Sequence, residues 1–149
     1  SLTRGVVLNE MNRYSVLNGS FMFVADLLKN IEIECEISFV KLSSYQGTET
    51  TGKVRELIGL THSIEGRDVI VLEDIVDTGY TMSKMLETLK QHNPASVEVA
   101  SLFVKPECMQ VHVDVKYPLF SIPDRFILGY GLDYDGLGRN LPDVYDVVE

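Results

Sequence analysis

Val69-Ile-Val-Leu-Glu73-Asp74-Ile-Val-Asp77-Thr78-Gly79-Tyr80-Thr81-Met82 is the stretch whose reading decides the fold. Its opening run is continuously apolar and β-branched, which is the pattern of a strand buried on both faces of a parallel sheet. Two adjacent carboxylates follow, then a short turn of small hydroxyl residues and Gly79, then residues at helical spacing. Ligands of open α/β sheets bind at the carboxyl ends of strands, and the first N–H groups of a helix, with its dipole, attract an anion. The turn therefore reads as a phosphate cradle. Thr78 and Thr81 add hydroxyl donors, and Gly79 permits a positive φ and a close backbone approach. Glu73 and Asp74 are pure acceptors when ionised, suited to a vicinal diol or to Mg²⁺ reached through water. The pairing of diol and phosphate sites suggests a sugar phosphate.

Outward from this stretch, β-branched segments alternate with amphipathic ones, the pattern of parallel strands joined by crossover helices. Residues 5–14 read as helix, 15–17 as a short strand, and 20–30 as a helix with Phe21, Val24, Leu27 and Leu28 on one face. Residues 36–41 read as a strand, and the polar run 43–53, rich in Ser, Thr and Gly, as a mobile loop between strands. Residues 68–72 give the central strand. A helix over 81–92 follows, with Met82, Met85, Leu86 and Leu89 inward and Asn93-Pro94 ending it. Further strands are expected over 97–105, 111–115 and 125–128.

The 149 residues suffice for one domain with a sizeable core and no disulfide framework. Thirteen Lys and Arg against 22 Asp and Glu give a net charge of −9, a field that repels nucleic acid and anionic membranes. Cys35 and Cys108 lack metal or redox spacing and read as reduced core thiols. No charged leader precedes an apolar run, so a soluble cytoplasmic protein is expected. Neither GxxxxGK[ST] nor a strand-linked GxGxxG occurs, which removes the usual support for P-loop and dinucleotide-binding enzymes.

At Val69–Met82 the chain resembles the phosphoribosyl-pyrophosphate (PRPP) motif of the type I phosphoribosyltransferases, and in its flanks it is similar to the hypoxanthine-guanine branch of that family. Ser15–Phe23 resembles the pyrophosphate loop, Ser43-Ser44-Tyr45 the mobile catalytic loop, and Leu102–Lys105 the strand carrying a purine-binding lysine. Ile122–Tyr134, followed by Arg139, resembles the purine-binding hood. The resemblance implies an α/β fold with a mostly parallel central sheet flanked by helices, in a single domain over 1–149 with a small hood over about 115–149. The family's lead before residue 15 is longer, so a shortened lead is expected here.

The resemblance also implies roles. The 5′-phosphate would sit on Asp77, Thr78, Gly79, Tyr80 and Thr81, and the ribose on Glu73 and Asp74. Asn18, Gly19, Ser44, Tyr45 and Arg139 would hold pyrophosphate, and Lys105, Phe126, Ile127 and Asp133 the purine. Mg²⁺ would be the cofactor, with Glu73, Asp74 and Asp133 as ligands, and Asp77, Lys105 and Arg139 would be catalytic. Asn18 stands where many members carry Lys, Tyr80 where a basic residue is common, and a cis Asn18–Gly19 peptide is implied. The reaction implied is transfer of the phosphoribosyl group to hypoxanthine or guanine, by a homodimer or homotetramer. A xanthine or pyrimidine transferase, or a non-catalytic nucleotide-binding regulator, stays as the alternative.

Overall fold

The computed structural model describes residues 20–42, 57–60 and 62–148, together with the backbone of 5–10. Five strands run parallel in one sheet and a sixth pairs antiparallel at its edge. The strands are β1 (Gly5–Glu10), β2 (Cys35–Leu42), β3 (Leu57–Ile58), β4 (Asp68–Val76), β5 (Ser96–Val104) and β6 (Tyr117–Ser121), in the order β3-β2-β1-β4-β5-β6. Helix α1 (Phe21–Leu28) precedes β2, and α2 (Tyr80–Lys90) joins β4 to β5. A second sheet of two short strands, β7 (Ile127–Leu128) and β8 (Tyr145–Asp146), closes the C-terminal region.

The alternation of β4 explains the two layers of core. Val69 and Val71 pack with Met82, Met85 and Leu89 of α2 and with Val99, whereas Ile70 and Leu72 join Phe23 and Val24 of α1 with Ala100 and Leu102. Helices thus cover both faces, as the apolar run of β4 requires. Leu132, from the hood, packs into the α1-side cluster.

Three expectations fail. Residues 5–10 form a central strand rather than a helix. Val6-Val7-Leu8 is an apolar, partly β-branched run, and periodicity alone does not separate a buried strand from a helix in so short a window. Val111–Val115 stands outside the sheet as an extended strap, with Val113 buried against the α2-side core. Its alternation reports burial of one face, not ladder pairing. The edge strand is instead Tyr117–Ser121, whose Pro118 hides it in sequence, because Pro is tolerated only where the missing N–H faces solvent. Cys35 and Cys108 are free thiols as expected; Cys35 packs half-buried against the α1-side core, whereas Cys108 is half-buried outside both core clusters.

Candidate active site

Strand order places the site. β1 connects toward β2 on one side and neighbours β4 on the other, so the sheet switches direction between β1 and β4, the position where open α/β sheets hold ligands beyond the strand carboxyl ends. Among the described residues, β1 pairs with β4 only as far as Leu72, while β5 continues along β4 to Val76. Among the described residues, the last four residues of β4 therefore pair with β5 alone, at the switch-point end of the sheet. Both predicted carboxylates lie there. Glu73 Oε1 accepts the Asp74 amide at 3.0 Å, and Asp74 Oδ1 accepts the Ile75 amide at 2.7 Å. Ile75 joins Ile70 and Leu72 on the α1 side, so the strict alternation of the strand breaks across this pair. Glu73 is 8% exposed, so it is buried at the strand end and not a solvated charge.

The turn after β4 is built for close approach. Gly79 caps α2 with φ 85°, and a Cβ there would meet the Val111 carbonyl oxygen at 2.2 Å. The strap fixes the turn from outside, since the amides of Gln110 and Val111 donate to the Thr78 carbonyl at 2.9 and 3.0 Å. Asp77 is exposed, and its Oδ1 accepts the Thr78 amide at 2.5 Å. Thr81 and Tyr80 are exposed in the first turn of α2.

At the neighbouring strand end, the Lys105 amide donates to the Val76 carbonyl at 2.9 Å, which sets Lys105 beside the residue preceding Asp77. The Lys105 side chain is only 12% exposed, and its partner among the described residues is Asp124, 3.8 Å away and itself 76% exposed. That is an ion pair beyond hydrogen-bond length. A largely covered ammonium with unused donors suits an acceptor oxygen on a bound molecule.

In the hood, Phe126 is 55% exposed and meets Tyr134 edge to face at 5.5 Å, so its ring is open to a planar partner. Ile127 is half-buried in β7. Asp133 pairs with Arg139 at 3.0 Å and accepts the Gly136 amide at 2.9 Å, while Arg139 also donates to the Gly131 carbonyl at 2.8 Å. The structure brings Asp77, Lys105 and Asp124 to one end of the sheet, and Asp133 with Arg139 to one hairpin. Asn18, Gly19, Ser44 and Tyr45, with the implied cis peptide, lie outside the described residues.

The phosphoribosyl transferase domain family matches residues 14–135. The chain belongs to this family. A hypoxanthine phosphoribosyltransferase of Buchnera aphidicola is 43% identical over 141 residues, covering 94% of this chain and 80% of the relative. A hypoxanthine phosphoribosyltransferase of Staphylococcus aureus superposes with TM-score 0.82 at 38% identity, covering 98% of this chain and 77% of that one. A hypoxanthine phosphoribosyltransferase of Trypanosoma cruzi, solved with the product IMP, superposes with TM-score 0.80 at 33% identity, covering 99% and 68%.

Within this phosphoribosyltransferase, sequence reasoning missed two residues. Asp124 carried no assignment, yet it partners Lys105. Cys108 was placed in the core, yet it stands in the turn after β5 beside the same groups. Burial first, then the hydrogen bond to Asp124 and the Asp124 and Asp77 charges, push its thiol above the ordinary range, while Lys105 pulls the other way. The Lys105-Pro106 step that turns the chain back was the available signal, because Pro begins the 3₁₀ turn that carries Cys108 there.

Proposed function

We propose that this phosphoribosyltransferase serves purine salvage by transferring the 5-phosphoribosyl group of PRPP to N9 of hypoxanthine, and of guanine, giving IMP or GMP and pyrophosphate. The observation that carries this is the junction of two strand ends, where a Gly79-capped turn holding Asp77 lies beside a covered, under-bonded Lys105. The chain acts as one domain over 1–149, with the hood over about 115–149.

The 5′-phosphate rests on Asp77 to Thr81, where amides and hydroxyls of the α2 N-terminus face it. Glu73 and Asp74 take the ribose hydroxyls at the carboxyl end of β4. The C1′–oxygen bond to pyrophosphate breaks as the N9–C1′ bond forms, and the transition state carries positive charge on the ribose. Asp77 accepts the proton or hydrogen bond from N7 of the base. Lys105 donates to O6, which favours 6-oxopurines, since the amino group of adenine would set donor against donor. Phe126 stacks on the base and Ile127 lends backbone groups, while Asn18, Gly19, Ser44, Tyr45 and Arg139 serve the leaving pyrophosphate.

Mg²⁺ would be held by Glu73, Asp74 and Asp133, and would supply charge neutralisation of the pyrophosphate. Among the described residues no three metal-binding side chains converge, so these carboxylates would not form one cage: Glu73 and Asp74 would act from β4 and Asp133 from the hood, reaching the ion through water and substrate oxygens. We read the enzyme as cytoplasmic, where a highly charged substrate that does not cross membranes is kept, and as a homodimer or homotetramer; among the described residues no helix is long and apolar enough to cross a membrane.

The test is pyrophosphate release from PRPP and Mg²⁺ with hypoxanthine, guanine, xanthine, adenine or uracil supplied separately. Turnover with hypoxanthine and guanine but not adenine is expected. Preference for uracil or xanthine moves the assignment to the corresponding transferase. PRPP binding without any turnover moves it to a non-catalytic regulator.

A further inference from the structure

One long-range contact is used by none of the roles above. The Tyr130 hydroxyl, in the hood, donates to the carboxylate of Asp26 on α1, across 104 residues of sequence. Three consecutive residues aim it there: Gly129, Tyr130 and Gly131 all have positive φ, at 95°, 51° and 96°. A left-handed backbone is rare for a bulky side chain and persists only where its surroundings over-determine it. Here they do. Gly129 and Leu132 exchange both backbone hydrogen bonds at 3.0 Å, the Tyr130 amide donates to Leu141 at 2.8 Å, and the Gly131 amide donates to Arg139 at 2.9 Å.

The turn therefore has two outputs. Its side chain grips α1, and its Gly131 carbonyl receives the Arg139 guanidinium, whose other arm pairs with Asp133. Helix α1, which carries Asp26, is itself anchored, since it begins at Phe21 directly after Ser20, which is fully buried. Arg139, assigned to pyrophosphate, thus hangs from this connection: Asp26 holds Tyr130, and the turn that carries Tyr130 presents the Gly131 carbonyl to Arg139. Around Asp26 the other partners are Lys29, at 3.6 Å on the same helix, and the Asn30 amide, which donates to the Asp26 carbonyl at 2.9 Å, so nothing else in this set ties it to the hood.

We infer that Asp26 and Tyr130 are a positioning pair that sets Arg139 against α1, and so controls the grip on pyrophosphate rather than on the purine. This rests on the reading of the site given above. Neither residue touches the reacting atoms.

The experiment measures the KM values for PRPP and hypoxanthine, kcat, and calorimetric binding of Mg²⁺-pyrophosphate, in the wild-type chain and in Tyr130→Phe, Asp26→Ala and Asp26→Asn. Tyr130→Phe and Asp26→Ala are expected to raise the PRPP KM and weaken pyrophosphate binding by about fivefold to tenfold, the effect of one lost charge-assisted hydrogen bond. The hypoxanthine KM should shift less than about twofold by the same reasoning. Asp26→Asn keeps an acceptor oxygen and should restore most of the loss. A uniform fall in kcat, an equal rise in both KM values, or a lower melting temperature with unchanged pyrophosphate binding would overturn the inference. A wild-type chain that binds and turns over nothing would instead overturn the proposed function, and the inference with it.

Discussion

The turn after β4 and the hood face the same end of the sheet but are held in opposite ways. The turn is short, local and tightly confined: Gly79 has no room for a Cβ, and two amides of the strap seize the Thr78 carbonyl. The hood has only two two-residue strands, and although its backbone is tight at Gly129, where a Cβ would meet the Asp143 carbonyl oxygen at 2.0 Å, it is tied to the rest of the chain through side chains: Tyr130 to Asp26, Asp124 to Lys105, and Leu132 buried in the α1-side core. A fixed cradle suits the phosphate, which every turnover presents identically. A frame of polar ties suits the part that must admit a base and release a nucleotide, because such ties open with less loss than a packed core.

Substitutions can break or sharpen this contrast. The largest effect is expected for Asp77→Asn, which keeps the acceptor for the Thr78 amide but removes the charge that we propose faces the base. We expect kcat/KM to fall by about 10²-fold to 10⁴-fold with the fold intact, read by pyrophosphate release and circular dichroism. An activity within a fewfold of wild type would remove Asp77 from the chemistry.

Next come two glycines with nearly equal φ, Gly79 at 85° and Gly136 at 81°. Gly79→Ala adds the clash with Val111 to the strain of a left-handed alanine and should cost about 3 kcal/mol in denaturant unfolding. Nothing lies within 4 Å of a Cβ at Gly136. Gly136→Ala should therefore cost only about 1 kcal/mol of backbone strain. Equal losses at the two sites would erase the distinction between the confined glycine of the turn and the open one of the hood.

Lys105→Ala tests the border of the two regions. Losing one hydrogen bond from a charged donor should raise the hypoxanthine KM by about tenfold to a hundredfold while leaving the PRPP KM nearly unchanged. A rise confined to PRPP would move Lys105 to the phosphate side.

The smallest effect concerns Cys108. Because its thiol is pushed above the ordinary value, the thiolate forms later as pH rises, so alkylation between pH 7 and 9 should run slower than for an unhindered cysteine. Asp124→Asn removes the largest charge opposing the thiolate, and the rate at pH 8 should rise by roughly threefold. An unchanged rate would mean that burial alone controls the thiol, and that Asp124 does not join hood to strand end.

Much of the cradle was legible in the sequence because its parts are contiguous. Strand, carboxylates, Gly turn and helix follow one another from Val69 to Met82, and each announces itself through β-branching, acceptor chemistry or positive φ. The hood's strand at Ile127–Leu128 was legible as well, as part of a longer stretch. What failed were judgements of partnership. The alternation of Val111–Val115 and the apolar run of Val6–Leu8 are the same whether a segment joins a ladder, lies against a core or coils into a helix. Cys108 and Asp124 looked unremarkable because their meaning comes from Lys105, which chain reversal at Pro106 brings to them.

By itself the sequence determined the α/β class, the central strand, the cradle and the family resemblance, because these rest on local propensity and residue chemistry read in order. Only the tertiary structure decided that, among the described residues, the last four residues of β4 pair with β5 alone and the covered Lys105 has only Asp124 as its ionic partner, and that Tyr130 reaches Asp26. Those facts join residues tens of positions apart, and the physical reason they escape a linear reading is that burial and pairing belong to neighbours in space.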